Sequence, residues 1–229
     1  MAGSPTILVN SRNITKLCLL SFCAAYPGTE CDMRFVFCAS AVCAMLHDLP
    51  PERGMDADLL VSFIRSCQSY DGGIGQHPFN ESHAGSTYCA IAALHLVGRL
   101  TDSVLPSMGR LATWCLNRQT KTGFHGRPNK PPDSCYTLWV GGSLRMLGIF
   151  DYVDKERLRD FVLDCQCDQG GFSKWPDHLP DLLHSYFSLA GLAITNEPGV
   201  SELDPALNIS KRAVSYLKNL PLWTRKLGS

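Results

Sequence analysis

The sequence lacks both an excess of one charge and a long hydrophobic run. Its 229 residues include 21 lysines and arginines and 21 aspartates and glutamates, so the formal net charge is zero. A chain without a basic excess has no electrostatic footprint for nucleic acid, and we expect none as a partner. The apolar stretch at residues 17–23 is far shorter than the ~20 residues of a membrane-spanning helix, and the start has no signal-peptide pattern. We therefore expect a cytoplasmic protein without a membrane span.

Cysteine, by contrast, is abundant, with 11 residues. A high and odd count outside a secretory context indicates reduced thiols rather than a disulfide framework. The sequence has no Cys-x-x-Cys pair of the kind that builds structural zinc sites, and Cys165-Gln166-Cys167 has the wrong spacing. Most cysteines are therefore expected in the core, with at most one or two as metal ligands.

After an irregular start over residues 1–20, which we expect to be flexible or non-standard, the chain repeats about every fifty residues. The repeated pairs follow each other at steps of 52, 50 and 48 residues: Ser21-Phe22, Gly73-Ile74, Gly123-Phe124 and Gly171-Phe172. An apolar helix is predicted after each pair, over residues 33–46, 85–97, 135–147 and 184–194. A more amphipathic helix is predicted after each of these, over residues 56–67, 105–117, 155–165 and 210–220.

Units of two helices that recur at this length are helical hairpins, and such units stack to share one core. The first helix of each unit is apolar nearly all round, so it should be buried, and the second should face solvent. We predict an all-α fold, an α–α barrel (toroid) of about four helical hairpins over residues 21–229. Its inner helices are parallel, and its first unit is incomplete at the N-terminal side.

Polar residues occupy equivalent positions just before the predicted inner helices. Asp32, His83, Asp133 and Asp181 follow each other at steps of 51, 50 and 48 residues. Because parallel inner helices start at the same end of the barrel, these positions should gather into one polar cluster although they are far apart in sequence.

A possible metal site belongs to this cluster. Asp133, Cys135 and His184 supply a carboxylate, a thiol and an imidazole, a set that suits zinc and leaves a fourth position open for chemistry. Asp-x-Cys is a short and unspecific pattern, however. A helix cap, a core cysteine and a core histidine are the more frequent outcome for such residues, and both interpretations stay open on the residues alone.

Cationic residues are expected at the same end of the barrel. Arg127 and Lys130 lie on a proline-rich loop that leads into a helix N-terminus, a favourable place for an anion such as a diphosphate. His83 and Tyr136 would add donors, although a solvated loop rim is the alternative. Three further residues would line an apolar tunnel below, for which core packing is the alternative: Phe37, Cys89 and Trp139.

Three motifs make the sequence similar to the β subunits of the protein prenyltransferases. They lie at residues 81–89 (ESHAGSTYC), 125–136 (HGRPNKPPDSCY) and 171–184 (GFSKWPDHLPDLLH). The similarity runs from about Ser21 to about Ser215, including residues 32–35, and is strongest to the type I geranylgeranyl enzymes. The α–α barrel of this family agrees with the fold predicted from the repeat.

The resemblance implies a catalytic β subunit that works in a heterodimer with the α subunit of farnesyltransferase and geranylgeranyltransferase type I. It implies one catalytic Zn²⁺ per chain, held by Asp133, Cys135 and His184. The implied reaction moves a geranylgeranyl group from geranylgeranyl diphosphate to the cysteine thiol of proteins that end in Cys-aliphatic-aliphatic-Leu, such as small GTPases.

The resemblance also assigns the residues around the lipid. The diphosphate is implied to lie on His83, Arg127, Lys130 and Tyr136. Lys174 stands where farnesyl enzymes carry an acidic magnesium ligand, so we expect a catalytic ammonium there and no Mg²⁺ requirement. The lipid and the tail of the protein substrate are implied to lie near Arg34, Phe35 and Leu183. Of the residues expected to line the tunnel, we count Cys89 and Trp139 among those that bind the lipid.

Two other interpretations are kept. The motif Ser82-His83-Ala84-Gly85 is shared with the β subunit of Rab geranylgeranyltransferase. The family's β subunits also begin with further helices before the segment matched here. A shortened, non-catalytic chain that only binds the α subunit is therefore the alternative to an enzyme.

Overall fold

The computed structural model describes residues 32–45 and 56–219. These ranges contain eight α-helices and one two-stranded sheet. The irregular start expected over residues 1–20 and the first repeated pair, Ser21-Phe22, lie outside the described residues, as do the predicted helix ends at residues 46 and 220. None of the helices in the described ranges is long and apolar enough to cross a membrane.

The helices follow the predicted alternation, and their limits lie within three residues of those expected. In chain order they are α1 (Met33–Met45), α2 (Ala57–Ser66), α3 (Ala84–Leu96), α4 (Met108–Leu116), α5 (Tyr136–Met146), α6 (Lys155–Asp164), α7 (Leu182–Thr195) and α8 (Lys211–Asn219). A single 3-10 turn, Phe150–Tyr152, lies between α5 and α6.

The inner helices α1, α3, α5 and α7 form a row in which each helix packs against the next. Helix α3 is buried over nearly its whole length, from Ala84 to Leu94. Glycines allow the close approach of neighbours: a Cβ added at Gly191 would lie 2.8 Å from the Cβ of Thr137 on the adjacent helix. The inner helices therefore pack closely around one core because they are apolar and contain small residues.

The outer helices α2, α4 and α6 each bury only two or three residues. Their first turns are capped by Asp56, Ser107 and Asp154, whose side chains accept backbone N–H groups. Such caps satisfy donors that have no partner within the helix. Helix α8 begins the same way at Ser210 but buries none of its residues.

A short hairpin is the departure from a purely helical fold. Strands β1 (Leu203–Asp204) and β2 (Ile209–Ser210) pair antiparallel between α7 and α8. The turn between them contains Asn208 in a left-handed conformation, at φ 55°. The carboxylate of Asp204 accepts the N–H groups of Ala206 and Leu207, which stabilises the turn.

A glutamine amide joins successive units. The side chain of Gln68 donates to the carbonyl of Ser107 at 3.0 Å and accepts its N–H at 3.1 Å. Gln119 binds the backbone of Asp154 in the same way, at 2.9 and 3.0 Å. Because Ser107 and Asp154 cap α4 and α6, each loop fixes the start of the next outer helix.

We expect Gln119→Ala to lower the free energy of unfolding by about 1–2 kcal/mol, because two hydrogen bonds at the start of α6 are lost. Urea denaturation followed by circular dichroism measures the change. Gln166→Ala is the matched control, since Gln166 occupies the equivalent place, is exposed, and its side chain binds no residue in the described ranges. An equal loss in both variants would show that the amide contacts do not stabilise the repeat.

Candidate functional site

The inner helices share one arrangement at their starts. Oδ1 of Asp32, Nδ1 of His83, Oδ1 of Asp133 and Oδ1 of Asp181 each accept a backbone N–H from two or three residues further on, at 2.8–3.0 Å. These are the four equivalent positions of the repeat. A shared hydrogen bond at each start orients the side chains that follow, and those side chains form the site.

Three candidate metal ligands meet at the starts of α5 and α7. One ligand atom from each of Asp133, Cys135 and His184 lies within 4.8 Å of the others. The Nε2 atom of His184 is 3.4 Å from Oδ1 of Asp133. Asp133 is 6% exposed and Cys135 is 7% exposed, so two of the three are buried. No other such group of three occurs in the part of the chain that the structure describes.

The chemistry of this group fits a cation. Burial raises the pKa of the Cys135 thiol, and the charge of Asp133 raises it further. A buried thiol beside a carboxylate loses its proton when a divalent cation supplies the missing positive charge. Zinc binds sulfur, nitrogen and oxygen at about 2.0–2.3 Å, and this donor set fits one zinc ion after small side-chain adjustments.

Asp181 binds the ring nitrogen of His184 that does not face Asp133. The Nδ1 atom of His184 donates to Oδ2 of Asp181 at 2.5 Å. The hydrogen bonds from His184, first from its backbone and then from its ring, hold the pKa of Asp181 below its usual range. Sequence reasoning placed Asp181 in the polar cluster at this end of the barrel but gave it no role beside His184. The signal was the Asp-x-x-His spacing at a helix start, which brings the cap and the residue three positions later together.

Lys174 lies beside the same carboxylate. Its ammonium is 3.6 Å from Oδ2 of Asp133 and 4.4 Å from the centre of the Trp175 ring. The loop that carries it is tied to the start of α5, because Trp175 Nε1 donates to the carbonyl of Pro132 at 2.7 Å and Ser134 N–H donates to the carbonyl of Lys174 at 3.1 Å. Lys174 is half-buried, so its charge faces both Asp133 and the solvent.

His83 and Tyr136 bring α3 and α5 together at this end. The Nδ1 atom of His83 accepts the N–H of Gly85, so the neutral ring carries its proton on Nε2. That proton is donated to the hydroxyl of Tyr136 at 3.1 Å, which leaves the phenol O–H free to donate to a ligand. Gly126 packs on this pair, since a Cβ there would lie 2.2 Å from the Tyr136 hydroxyl.

The two expected cations of the loop have different surroundings. Arg127 pairs with Glu81 at 2.5 Å, and after burial its charge is the second influence that lowers the pKa of the His83 ring. Lys130 is exposed, and its side chain has no hydrogen bond or ion pair with the described residues. The structure therefore brings Arg127, His83 and Tyr136 together and leaves Lys130 at the rim of the same loop.

Arg34 stands at the start of α1. Its guanidinium pairs with the carboxylate of Asp32, which is fully buried and also accepts from Gln76 Nε2 at 2.7 Å. The hydrogen bonds from Arg34 and Gln76 keep the pKa of Asp32 below its usual value, although burial opposes them as the largest single influence. Phe35 and Leu183 are exposed at the same end.

A line of aromatic rings crosses the four inner helices. The ring centres of Phe37 and Tyr88 are 5.6 Å apart, those of Tyr88 and Trp139 4.9 Å, and those of Trp139 and Phe187 4.5 Å. Cys89 is buried next to Tyr88 in α3. Sequence reasoning named Phe37, Cys89 and Trp139 but missed Tyr88 and Phe187, because aromatic residues inside apolar helices look like ordinary core.

The fold and the site together define a helical-hairpin toroid with a candidate metal centre where its inner helices start. The chain belongs to the prenyltransferase family: the model of the prenyltransferase alpha-alpha toroid domain matches residues 13–209. The all-α toroid and the resemblance to the type I β subunits, both expected from the sequence, are thereby confirmed together with the relatives described next.

Two relatives are similar over most of this chain. The geranylgeranyl transferase type-1 subunit beta of Arabidopsis thaliana is 44% identical over 200 residues, which cover 82% of this chain and 52% of the relative. The subunit of the same name from Dictyostelium discoideum is 42% identical over 183 residues, or 80% of this chain and 51% of the relative. The chain thus spans about half the length of these curated relatives.

A solved structure is also similar. Candida albicans protein geranylgeranyltransferase-I, complexed with GGPP, matches with a TM-score of 0.74 and 29% sequence identity. The match covers 83% of this chain and 57% of that chain. The likeness in fold therefore extends over most of this chain.

The surroundings of His83 predict a stability that falls in acid. Burial lowers the pKa of His83 below the ordinary 6.5, and the charge of Arg127 lowers it further, against the smaller effect of Glu81. The unfolded chain then takes up this proton at a higher pH than the folded chain, so unfolding becomes easier as pH falls through about 6.5. Urea denaturation at about pH 7.5 and about pH 5.5 measures the loss.

His83→Asn is the matched variant, because asparagine can still cap the helix but does not titrate. We expect the wild-type chain to lose more unfolding free energy between the two pH values than the variant does. The same loss in both would show that His83 does not contribute to the pH dependence.

Proposed function

We propose that this chain acts as the β subunit of a type I protein geranylgeranyltransferase. It would move a geranylgeranyl group from its diphosphate to the cysteine thiol of proteins ending in Cys-aliphatic-aliphatic-Leu. The observation that carries the proposal is one juxtaposition: three candidate metal ligands lie at the same end of the inner helices as a cationic, hydroxyl-bearing group. The similarity to type-1 β subunits supports the same reaction.

Asp133, Cys135 and His184 would hold one Zn²⁺. When bound, Zn²⁺ would lower the pKa of the substrate cysteine and keep it as a thiolate near neutral pH. Three protein ligands leave a fourth position for the substrate sulfur. The partial exposure of His184, with 14% of its side chain accessible, gives that sulfur a way in.

Four side chains would bind the diphosphate: His83, Arg127, Lys130 and Tyr136. As the sulfur forms its bond to the first carbon of the prenyl chain, the carbon–oxygen bond breaks and its electron pair leaves with the diphosphate. Hydrogen bonds and positive charge placed at that oxygen stabilise the transition state. The ammonium of Lys174, beside Asp133, would contribute charge where related enzymes use magnesium, so we propose transfer without Mg²⁺.

The apolar part of the lipid would lie on the aromatic line of Phe37, Tyr88, Trp139 and Phe187, beside Cys89. The one hydroxyl among these rings is paired, since that of Tyr88 donates to the carbonyl of Pro205 at 2.8 Å. Three residues at the helix starts would face the tail of the protein substrate: Arg34, Phe35 and Leu183.

The partner would be the α subunit shared with farnesyltransferase, and the protein substrates would include small GTPases. We propose a heterodimer because the relatives are named as β subunits. The cysteines in the described ranges are free thiols, which supports a place in the reducing cytoplasm.

A transfer assay tests the proposal. The chain is co-expressed with an α subunit, loaded with zinc and supplied with labelled geranylgeranyl diphosphate and a peptide ending in leucine, without magnesium. We expect label on the peptide cysteine. Zinc binding without any transfer would contradict the catalytic proposal and favour a chain that only binds the α subunit.

Cys135→Ser should weaken zinc binding by more than about tenfold and abolish transfer, because the thiolate ligand is lost. Zinc affinity is measured by competition with a chromophoric chelator. Cys167→Ser is the matched control: Cys167 is a partly exposed thiol whose nearest hydrogen-bond partner is the carbonyl of His178. If Cys135→Ser binds zinc as tightly as the control, the ligand assignment is wrong.

Arg127→Ala should raise the Kd for geranylgeranyl diphosphate by about tenfold, the effect of losing one hydrogen bond to a charged group. Displacement of a fluorescent prenyl diphosphate measures the Kd. Arg157→Ala serves as the control, because Arg157 carries the same charge on outer helix α6, where it pairs with Asp154. Equal affinities of the two variants would remove Arg127 from the diphosphate site.

A further inference from the structure

His125 lies between the end of an outer helix and the loop that carries Arg127 and Lys130. Its backbone N–H donates to the carbonyl of Arg118 at 3.0 Å, and its ring Nε2 is 3.4 Å from the carbonyl of Asn117. Both carbonyls are at the C-terminal end of α4, where such groups have no partner within the helix. On the other side of the ring, Nδ1 is 3.1 Å from the carbonyl of Lys130.

We propose that His125 is a positioning residue that holds this loop in the conformation that binds the diphosphate. The inference rests on the proposed function, because that function places the diphosphate on Arg127 and Lys130. His125 itself would not touch the diphosphate; it acts through the backbone of Lys130.

The bond to Lys130 restrains the middle of the loop. The loop begins at Gly126, whose carbonyl accepts an N–H from the start of α3 at 2.8 Å. It ends at Asp133, whose N–H donates to the carbonyl of Phe124 at 3.0 Å. Between these two points, over residues 127–131, the carbonyl of Lys130 is the only backbone group with a hydrogen bond to the described part of the chain.

The two cations of the loop have few other restraints. Asn129 turns the chain between them in a left-handed conformation, at φ 62°. The side chain of Arg127 pairs with Glu81, but both groups are partly exposed, and an exposed ion pair contributes little. A loop that is ordered before binding loses less conformational entropy when the ligand arrives, so the bond from His125 should strengthen diphosphate binding.

The two ring contacts of His125 compete for one proton when the ring is neutral. Both partners are carbonyl oxygens, which only accept, and a neutral imidazole has a single N–H. The shorter contact, at 3.1 Å, places that proton on Nδ1. The neutral ring therefore keeps its bond to the loop rather than the longer contact with the end of α4.

The equivalent position in the next unit forms a similar bridge. Residues 75, 125 and 173 each follow a repeated pair, and their N–H groups donate to the end of the preceding outer helix at 2.8–3.0 Å. The Oγ atom of Ser173 lies 3.1 Å from the carbonyl of Cys165 at that helix end and 2.5 Å from the carbonyl of Trp175 in its own loop. Gly75 has no side chain for a bridge. The bridge thus occurs in the two units whose loops carry the expected cations.

The test compares His125→Ala with His125→Asn in the chain co-expressed with an α subunit. Alanine removes both ring contacts, whereas the asparagine amide can take the place of Nδ1 and still donate to the carbonyl of Lys130. We expect the Kd of a fluorescent prenyl diphosphate to rise about three- to tenfold in His125→Ala, the effect of one lost hydrogen bond. His125→Asn should stay within about twofold of the wild-type Kd.

Inorganic diphosphate serves as a second probe, measured by competition with the fluorescent compound. Its Kd should change by the same factor in His125→Ala, because the loop faces the head group and not the lipid chain. A weaker prenyl compound with unchanged inorganic diphosphate would place the effect on the lipid wall and contradict the proposal.

Gln119→Ala is the matched control for a general loss of stability. Gln119 also lies just after α4 and loses two side-chain hydrogen bonds, but its partner is Asp154 rather than the loop. We expect Gln119→Ala to lower the free energy of unfolding at least as much as His125→Ala, while both diphosphate Kd values stay at the wild-type level. Urea denaturation measures the stability of each variant.

A further measurement needs no ligand. Long-range nitrogen–proton spectra at about pH 8.5 show which nitrogen of a neutral imidazole carries the proton. We expect Nδ1–H for His125 in the wild-type chain. A proton on Nε2 would mean that the ring binds the end of α4 instead of the loop, and the proposal would be wrong.

The outcomes separate this inference from the proposed function. Wild-type diphosphate affinity in His125→Ala, an equal loss in Gln119→Ala, or no recovery in His125→Asn would overturn the role of His125 and leave the diphosphate site in place. A wild-type complex that binds no prenyl diphosphate, or equal affinities of Arg127→Ala and its control Arg157→Ala, would refute the diphosphate site itself and this inference with it.

Discussion

The hydrogen bond at the start of each inner helix is the interaction on which the rest of the site depends. The first N–H groups of a helix have no partner within it, so a side chain must supply an acceptor when the end is buried. Here that acceptor occupies the same place in four successive units: Asp32, His83, Asp133 and Asp181. One backbone requirement, repeated at one end of the fold, thus gathers polar groups in a largely apolar barrel.

The chemistry differs between units because these four residues do more than accept one backbone N–H. Asp32 pairs with the Arg34 guanidinium, and His83 uses its second nitrogen to bind Tyr136. Asp133 orients its neighbour Cys135, and Asp181 holds the His184 ring. Each unit keeps the same backbone hydrogen bond and varies the side chain beside it. The repeat can therefore bring cations, candidate metal ligands and a phenol together without any change of fold.

The sequence was sufficient to predict the features that follow from the length of the repeat and from the equivalent positions in successive units. The steps near fifty residues predicted the inner and outer helices, and the equivalent positions predicted that Asp133, Cys135 and His184 would meet. Other parts depend on side-chain rotamers or on tertiary neighbours that a period does not encode. The second oxygen of Asp181, the aromatic contacts of Tyr88, and the left-handed Asn208 in the β hairpin belong to this group.

The position of Asp133 explains why this end of the barrel favours a cation. The carboxylate is nearly buried, and burial of a charge costs much unless an opposite charge is close. Lys174 is 3.6 Å away and half exposed, and the Nδ1–H of His184 is donated to Asp181 rather than to Asp133. The remaining negative charge lies between a thiol and an imidazole that are both candidate metal ligands. The arrangement that is costly for an isolated carboxylate is therefore the one that a bound metal ion would stabilise most.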